Sequence, residues 1–229
     1  MRISVLENSF ANSQVYSGCK MSKLITAFCI LVLLISCILA DESPRQKRQA
    51  AKLHITLLYE SLCPDSKNFM RQLGPVHQEL EPYIDIELVP FGKSASKQSG
   101  ALFHCQHGPA ECEGNRLQSC VISSTQNQAA QVKFVVCQMF ASNHANADKC
   151  ASQAGLLTDV EYCMKTPTGT KLQLDAELIT NRYRPSFVPT IVYNRVFNQQ
   201  LQDQSLRNFR ATVCYLLHQQ IALPATVCQ

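Results

Sequence analysis

Hydrophobic positions along the chain follow two different periods, which predicts an α/β protein. The segment KLHITLLYE, Lys52 to Glu60, is rich in leucine and β-branched residues and predicts a buried strand. Residues 66–81 carry apolar side chains at helical spacing, so we expect a helix that the Gly74-Pro75 pair kinks or divides. Tyr83 to Phe91 alternates apolar and acidic residues, which predicts a second strand and completes a β-α-β unit.

The second half of the chain is predicted to be mainly helical, with two short strands. After a polar loop at 92–102 we expect two helices, over 123–142 and about 171–182. Two strands follow, SFVPTIVYN at Ser186 to Asn194 and RVFNQQ at 195–200, and then a closing amphipathic helix in DQSLRNFRATVCYLLHQQ. This order of elements resembles a thioredoxin-like α/β domain that carries a disulfide-rich helical insertion at about residues 92–170.

The N-terminal region is expected to be a secretory signal peptide. Residues 24–39 form an apolar block that follows two lysines and is itself followed by Ala40. The block is shorter than the roughly 20 residues that a membrane-spanning helix needs. We therefore expect residues 1–40 to be removed, with translation starting at Met1 or Met21 and no membrane span in the mature chain. An uncleaved membrane anchor is the alternative.

Residues 41–48 link the signal region to the domain predicted over 49–229. The Arg45-x-Lys47-Arg48 pattern resembles a proprotein convertase site, although a solvated basic linker explains the same residues. From Gln49 onward the chain holds 15 basic and 14 acidic residues, a formal net charge of +1. A nearly neutral domain without a basic run argues against a nucleic-acid partner.

The domain contains an odd number of cysteines. Nine of the 12 cysteines of the chain follow Gln49. In the oxidising compartment that a signal peptide implies, cysteines pair, so we expect four disulfides and one remaining thiol. That thiol is free, capped or bonded to another molecule. A disulfide to a second copy of the chain would give a linked dimer. The sequence leaves the pairing itself open.

The candidate reactive thiol is Cys63 in the segment Cys63-Pro64-Asp65-Ser66. It lies where a strand passes into a helix, and the unpaired N–H groups of a helix N-terminus favour the nucleophilic thiolate. A structural cysteine in one of the bridges is the alternative. Pro189, at the head of a predicted strand, is the candidate for a cis-proline beside this thiol, with an ordinary edge proline as its alternative.

The most specific motif is CQHGPAECEGNRLQSC, which we call the signature segment. The segment resembles, position for position, the signature of the gamma-interferon-inducible lysosomal thiol reductase (GILT) family. The matching residues are Cys105, Gln106, His107, Gly108, Glu111, Cys112, Asn115 and Cys120. The segment alone predicts a disulfide-closed loop in which Gly108 and Asn115 serve backbone turns. Zinc binding by these cysteines and His107 is the alternative, but we expect bridges and no metal or cofactor.

The resemblance implies reduction of protein disulfides by a Cys-x-x-Cys centre in acidic compartments. Ser66 replaces the second thiol of that centre, and its hydroxyl can at best donate a hydrogen bond to Cys63. We therefore expect the dithiol cycle to be lost and the fold to serve as a protein-binding or cell-surface-binding module, with a role in host defence. A monothiol reductase or isomerase that uses Cys63 and an external thiol is the alternative, with disulfide-containing proteins as its partners.

The family also implies N-glycans and lysosomal sorting. The chain contains no Asn-x-Ser/Thr sequon, which favours secretion over lysosomal or endosomal residence.

If the signal and linker assignments are right, the secreted protein begins at Asp41 or at Gln49. N-terminal sequencing of material collected from the medium checks this. A secreted chain that begins at Met1 or Met21 would contradict both assignments.

Overall fold

The computed structural model describes residues 52–141, 146–156 and 160–229. The predicted signal region, 1–40, and the basic linker, 41–48, lie outside the described residues. So do the first three residues of the predicted domain, 49–51. All structural statements below concern the described part.

The described elements are five short strands and eight α-helices. The strands are β1 (Leu53–Tyr59), β2 (Ile84–Pro90), β3 (Ala95–Lys97), β4 (Leu102–His104) and β5 (Thr190–Tyr193). The helices are α1 (Pro64–Leu80), α2 (Pro109–Ser123), α3 (Gln128–Phe140), α4 (Ala147–Gln153), α5 (Val160–Lys165), α6 (Pro167–Tyr183), α7 (Gln199–Arg207) and α8 (Phe209–Gln220). A 3-10 turn at Gln98–Gly100 joins β3 to β4. Among the described residues no helix is long and apolar enough to span a membrane.

The main sheet has three strands in the order β2-β1-β5. β1 runs parallel to β2, from the pair Leu53–Ile84 to the pair Tyr59–Pro90, and antiparallel to β5. A central strand covered on both faces must be apolar on both, which explains the nearly continuous apolar run of β1. Helix α1 is the crossover that a parallel β1–β2 connection requires.

The core lies on both faces of this sheet. Alternate β1 residues, Leu53, Ile55, Leu57 and Tyr59, belong to the larger apolar cluster together with side chains of α1, α3 and α8. The opposite face carries a smaller cluster formed by Leu58, Val89, Phe91 and Ala176. This division follows the two-residue period of a strand.

Four disulfides account for every cysteine of the described part except Cys63. The bridges are Cys105–Cys112, Cys120–Cys163, Cys137–Cys150 and Cys214–Cys228. Cys63 is the free, buried thiol. The expected four bridges with one remaining thiol are confirmed for these residues. Because three of the bridges fall between Cys105 and Cys163, the insertion is the most heavily cross-linked region.

Two predictions for the sheet region are wrong. The expected loop at 92–102 contains a hairpin, because β3 and β4 pair from Ala95–His104 to Lys97–Leu102. The expected strand RVFNQQ is absent from the described structure. Its Val196 forms only an isolated bridge with Tyr193. Asn198 then caps α7 by accepting a hydrogen bond from the N–H of Leu201, so the chain turns helical where a strand was expected.

Two predictions for the helices also need correction. Of the two outcomes expected at Gly74-Pro75, the division does not occur, because Pro75 lies inside the single helix α1. A proline removes one N–H donor, and the helix buries an apolar face that includes Phe69, Leu73 and Val76. The closing helix is divided at Asn208, whose side chain accepts from the N–H of Ala211 and starts α8.

Candidate active site

The thiol of Cys63 lies at the junction of the sheet and helix α1. Cys63 is the N-cap residue of α1, and its Sγ accepts a hydrogen bond from the backbone N–H of Ser66 at 3.5 Å. The same sulfur can donate to the carbonyl oxygen of Val188, 3.7 Å away. Only 5% of the residue is exposed, so a reacting disulfide must reach it through a narrow opening. Cys63 therefore lies at a helix N-terminus, with a backbone N–H and a backbone carbonyl as the hydrogen-bond partners of its sulfur.

Ser66 occupies the position of the missing second thiol and is fully buried. Its backbone N–H, not its hydroxyl, donates to Cys63. The hydroxyl oxygen instead accepts from the backbone N–H of Glu60 at 3.4 Å. A hydrogen bond from the Ser66 hydroxyl to Cys63, the most that the sequence allowed this residue, is not among the hydrogen bonds of this site. Ser66 fills the space beside Cys63, and its hydroxyl oxygen accepts the hydrogen bond of the Glu60 N–H after the end of β1. It contributes no sulfur chemistry.

The Val188–Pro189 peptide bond is cis, as the sequence predicts. Gln202, on α7, fixes the segment that follows. Its side-chain amide donates to the Pro189 carbonyl at 2.8 Å and its carbonyl oxygen accepts from the Ile191 N–H at 2.8 Å. The buried Gln202 thus acts as a bridge that holds the cis-proline segment near Cys63. Sequence reasoning missed this residue, because nothing in an amphipathic helix distinguishes one glutamine from its neighbours.

The signature segment begins with a closed loop and continues as helix α2. The Cys105–Cys112 disulfide closes the loop. Gly108 has a φ of 86° and is the N-cap of α2, so the turn needs a residue without a Cβ and the prediction for Gly108 holds. Gln106 is exposed, and Cys120 of α2 forms a disulfide with Cys163 of α5.

Asn115 has a different role from the expected one. It is fully buried in α2, and its Oδ1 accepts a hydrogen bond from the backbone N–H of Ser61 at 2.8 Å. The hydroxyl of Ser61 donates to the carbonyl oxygen of Glu111 at 3.1 Å. The amide of Asn115 also donates to the hydroxyl of Ser94 at 3.4 Å. Two signature residues therefore hold the turn that precedes Cys63, rather than a turn of their own loop.

Glu60, His107 and Glu111 form a second polar group beside this turn. His107 Nδ1 lies 2.6 Å from Glu111 Oε2 and 3.5 Å from Glu60 Oε2. Glu111 Oε1 accepts from the backbone N–H of His107 at 3.0 Å. Burial raises the pKa of Glu60, and the nearby Glu111 carboxylate acts in the same direction, while the backbone hydrogen bond from Lys93 opposes both.

Sequence reasoning missed Glu60 and Ser61. The available signal was a glutamate directly after an apolar strand, three residues before the cysteine, where a charged residue needs a buried partner. The side chain that offers a positive charge is His107 of the signature segment, 47 positions later, and no local sequence pattern indicates that pairing.

The sheet order, the thiol at a helix N-cap and the adjacent cis-proline define a thioredoxin-like thiol-disulfide oxidoreductase fold. Solved structures agree. Reduced DsbG from Mycobacterium tuberculosis matches with a TM-score of 0.54 and 15% identity, over 82% of this chain and 89% of that one. Oxidised Mtb DsbA matches with a TM-score of 0.55 and 14% identity, over 80% and 89%.

The family follows from sequence similarity. The family model described as gamma interferon inducible lysosomal thiol reductase (GILT) matches residues 54–154. GILT-like protein 1 of Drosophila melanogaster is 34% identical over 85% of this chain and 83% of its own length. The gamma-interferon-inducible lysosomal thiol reductase of Carassius auratus is 33% identical, over 74% and 70%. The chain belongs to the GILT family of thiol oxidoreductases.

Replacing Asn115 by alanine should destabilise the protein by about 1–3 kcal/mol, because the buried N–H of Ser61 loses its acceptor. The turn before Cys63 should also loosen, so the alkylation rate of Cys63 should rise. Denaturant unfolding and timed iodoacetamide labelling measure the two effects.

Asn181→Ala is the matched control, since Asn181 is exposed on α6 and should change the free energy of unfolding by less than about 0.5 kcal/mol. An Asn115→Ala protein as stable as this control, with unchanged labelling, would show that Asn115 does not hold the turn.

Proposed function

We propose that this GILT-family protein has lost the dithiol reductase cycle and works through Cys63 as a single thiol that captures client proteins as mixed disulfides. The observation that carries the proposal is the pairing of the cysteines. Cys63 stays free while the other cysteines of the described part form bridges, and a buried serine lies beside it in place of a resolving thiol. We propose a secreted location, which the absence of a glycosylation sequon supports.

The chemistry needs an external thiol to turn over. The Cys63 thiolate attacks a client disulfide, forms a new sulfur–sulfur bond and expels one client thiolate. Ser66 cannot attack this mixed disulfide, since its oxygen does not form the second bridge. A small thiol such as glutathione must attack instead; two such thiols are oxidised to one disulfide while the client disulfide is reduced and Cys63 is regenerated. Without them, the reaction stops at the captured client.

The surface beside the cis-proline supports client binding. A pocket of about 270 Å³ lies there, and its lining includes Phe187, Thr190, Phe197 and Leu206. The two phenylalanines are 41% and 42% exposed, which is a high value for large apolar side chains. An extended client segment that passes Pro189 could place an apolar side chain in this pocket and its disulfide at Cys63.

A purely non-covalent binding module is the second candidate function, and the same exposed phenylalanines favour it. In that case Cys63 would be incidental, and the partner would be a protein or a cell surface, with host defence as the setting. The low exposure of Cys63 makes a disulfide to a second copy less favourable than one to an extended segment. The two candidates differ in whether client retention needs the thiol.

Restoring the second thiol tests the proposal. Ser66→Cys should close a fifth bridge with Cys63 after reaction and give catalytic turnover of a disulfide substrate at about pH 4.5, the acidic range that the family resemblance implies, because the position is already buried beside the sulfur. The natural protein should turn over only when glutathione is added. A fluorescent disulfide substrate measures both rates.

Cys63→Ser and Ser66→Ala are the control variants. Cys63→Ser should abolish the glutathione-dependent turnover, whereas Ser66→Ala should retain it. Rapid turnover by the natural protein without a small thiol would overturn the loss of the dithiol cycle. Full retention of clients by Cys63→Ser would instead favour the non-covalent module.

A further inference from the structure

We propose that Glu60, His107 and Glu111 form a binding site for one divalent cation of the zinc type, which links the signature segment to the turn before Cys63. One ligand atom from each residue lies within 4.8 Å of the other two. This site uses no sulfur and does not depend on the proposed thiol chemistry.

The first argument is an unpartnered carboxylate oxygen. Both glutamates are fully buried. Oε1 of Glu60 accepts from the backbone N–H of Lys93 at 2.6 Å, but Oε2 of Glu60 has no hydrogen-bond partner. A single Nδ1–H of His107 can serve only one acceptor, and Glu111 at 2.6 Å is nearer than Glu60 at 3.5 Å. A buried carboxylate oxygen left without a donor is costly, so the pocket is built for a further positive group.

The second argument is charge. Two buried carboxylates face one another across a histidine that can supply at most one positive charge. No lysine or arginine side chain forms an ion pair with either glutamate among the described residues. A divalent cation would balance both carboxylates while His107 stays neutral and binds through Nδ1.

The third argument is geometry. Zinc binds histidine nitrogen at about 2.0–2.1 Å and carboxylate oxygen at about 2.0–2.2 Å, which places tetrahedral ligand atoms roughly 3.3 Å apart. The separation of 3.5 Å between His107 Nδ1 and Glu60 Oε2 is close to this value. The contact of 2.6 Å with Glu111 is a hydrogen bond and must lengthen once the proton leaves. One nitrogen and two oxygens suit zinc and its neighbours among the transition metals better than they suit calcium.

The site is rigid on one side and open on the other. A Cβ at Gly92, which has a φ of 59°, would overlap the side chain of Glu60, so that carboxylate is confined to its position. The side chain of His107 is 31% exposed and gives the cation a path from solvent. The signature cysteines take no part, because Cys105 and Cys112 are bonded to each other.

Zinc titration of the secreted chain tests the proposal. A Cys63→Ser background removes the free thiol, which would itself bind zinc. We expect one Zn²⁺ per chain by calorimetry, and a rise in Tm of roughly 5–10 °C when free Zn²⁺ is a hundredfold above Kd. Co²⁺ should give the visible absorption of a site with nitrogen and oxygen ligands.

Two ligand variants and one control make the result specific. His107→Ala and Glu60→Gln should each weaken Zn²⁺ binding by at least about 100-fold. His104→Ala removes an exposed histidine three residues from the site and should bind as tightly as the parent. His107 is partly exposed, so its variant should fold even if Glu60→Gln does not. No Zn²⁺ uptake by the parent, or equal affinity in His107→Ala and the parent, would overturn the proposal.

Discussion

The hydrogen bond from the backbone N–H of Ser61 to Oδ1 of Asn115, 2.8 Å long, is the constraint on which the site depends. It joins the end of β1 to the middle of α2, two segments 54 positions apart. The hydroxyl of Ser61 bonds the carbonyl of Glu111 one turn earlier. Ser61 and Asn115 are both buried, so breaking their hydrogen bond leaves a polar group without a partner and costs about 1–3 kcal/mol of folding free energy. The position of Cys63 is therefore set by the insertion as well as by the sheet.

This constraint gives the signature segment a physical meaning. The Cys105–Cys112 bridge and the turn at Gly108 define where α2 begins. Asn115 and Glu111 then face the strand end, and His107 returns to the carboxylate of Glu111. The segment acts as a support for the thiol turn. Its residues touch the turn before Cys63, and none of their hydrogen bonds among the described residues goes to the sulfur itself.

The support is complete although the second thiol is gone. Cys63 keeps its N-cap position, the Ser66 N–H and the adjacent cis-proline segment. Gln202 still holds the backbone on both sides of Thr190. Among the described residues Cys63 is the only free cysteine, and no second thiol lies beside it. In the single-thiol chemistry that we propose, Cys63 carries out the first step, and the second step needs an external thiol because Ser66 has no sulfur.

The sequence predicted the elements whose signals are local. β1, α1 and β2 follow directly from the hydrophobic period. The odd cysteine count predicted one remaining thiol, and the position of Cys63 between a strand and a helix made it the candidate. The β3–β4 hairpin was missed because its strands are three residues long and largely exposed, so they show no apolar alternation. The division at Asn208 was missed because a capping asparagine inside an amphipathic stretch resembles an ordinary polar residue.

The site was predicted less completely, for a related reason. Cys63, Ser66 and Pro189 stand at recognisable positions in strand and helix patterns. Glu60, Ser61 and Gln202 act through partners that are distant in sequence or indistinguishable from their neighbours. The family resemblance indicated that Asn115 and Glu111 matter. Only the folded chain shows that they hold the turn before Cys63.

The most direct test of the single-thiol account is the covalent state of the protein after one encounter with a client. The natural protein is mixed with a disulfide-bonded peptide, without any small thiol, and its intact mass is measured under acid quench. The account predicts one peptide bonded to each reacted chain, located at Cys63 by peptide mapping, and stable until glutathione is added. Free reduced peptide without an adduct, together with Cys63 bonded to another cysteine of the same chain, would contradict it.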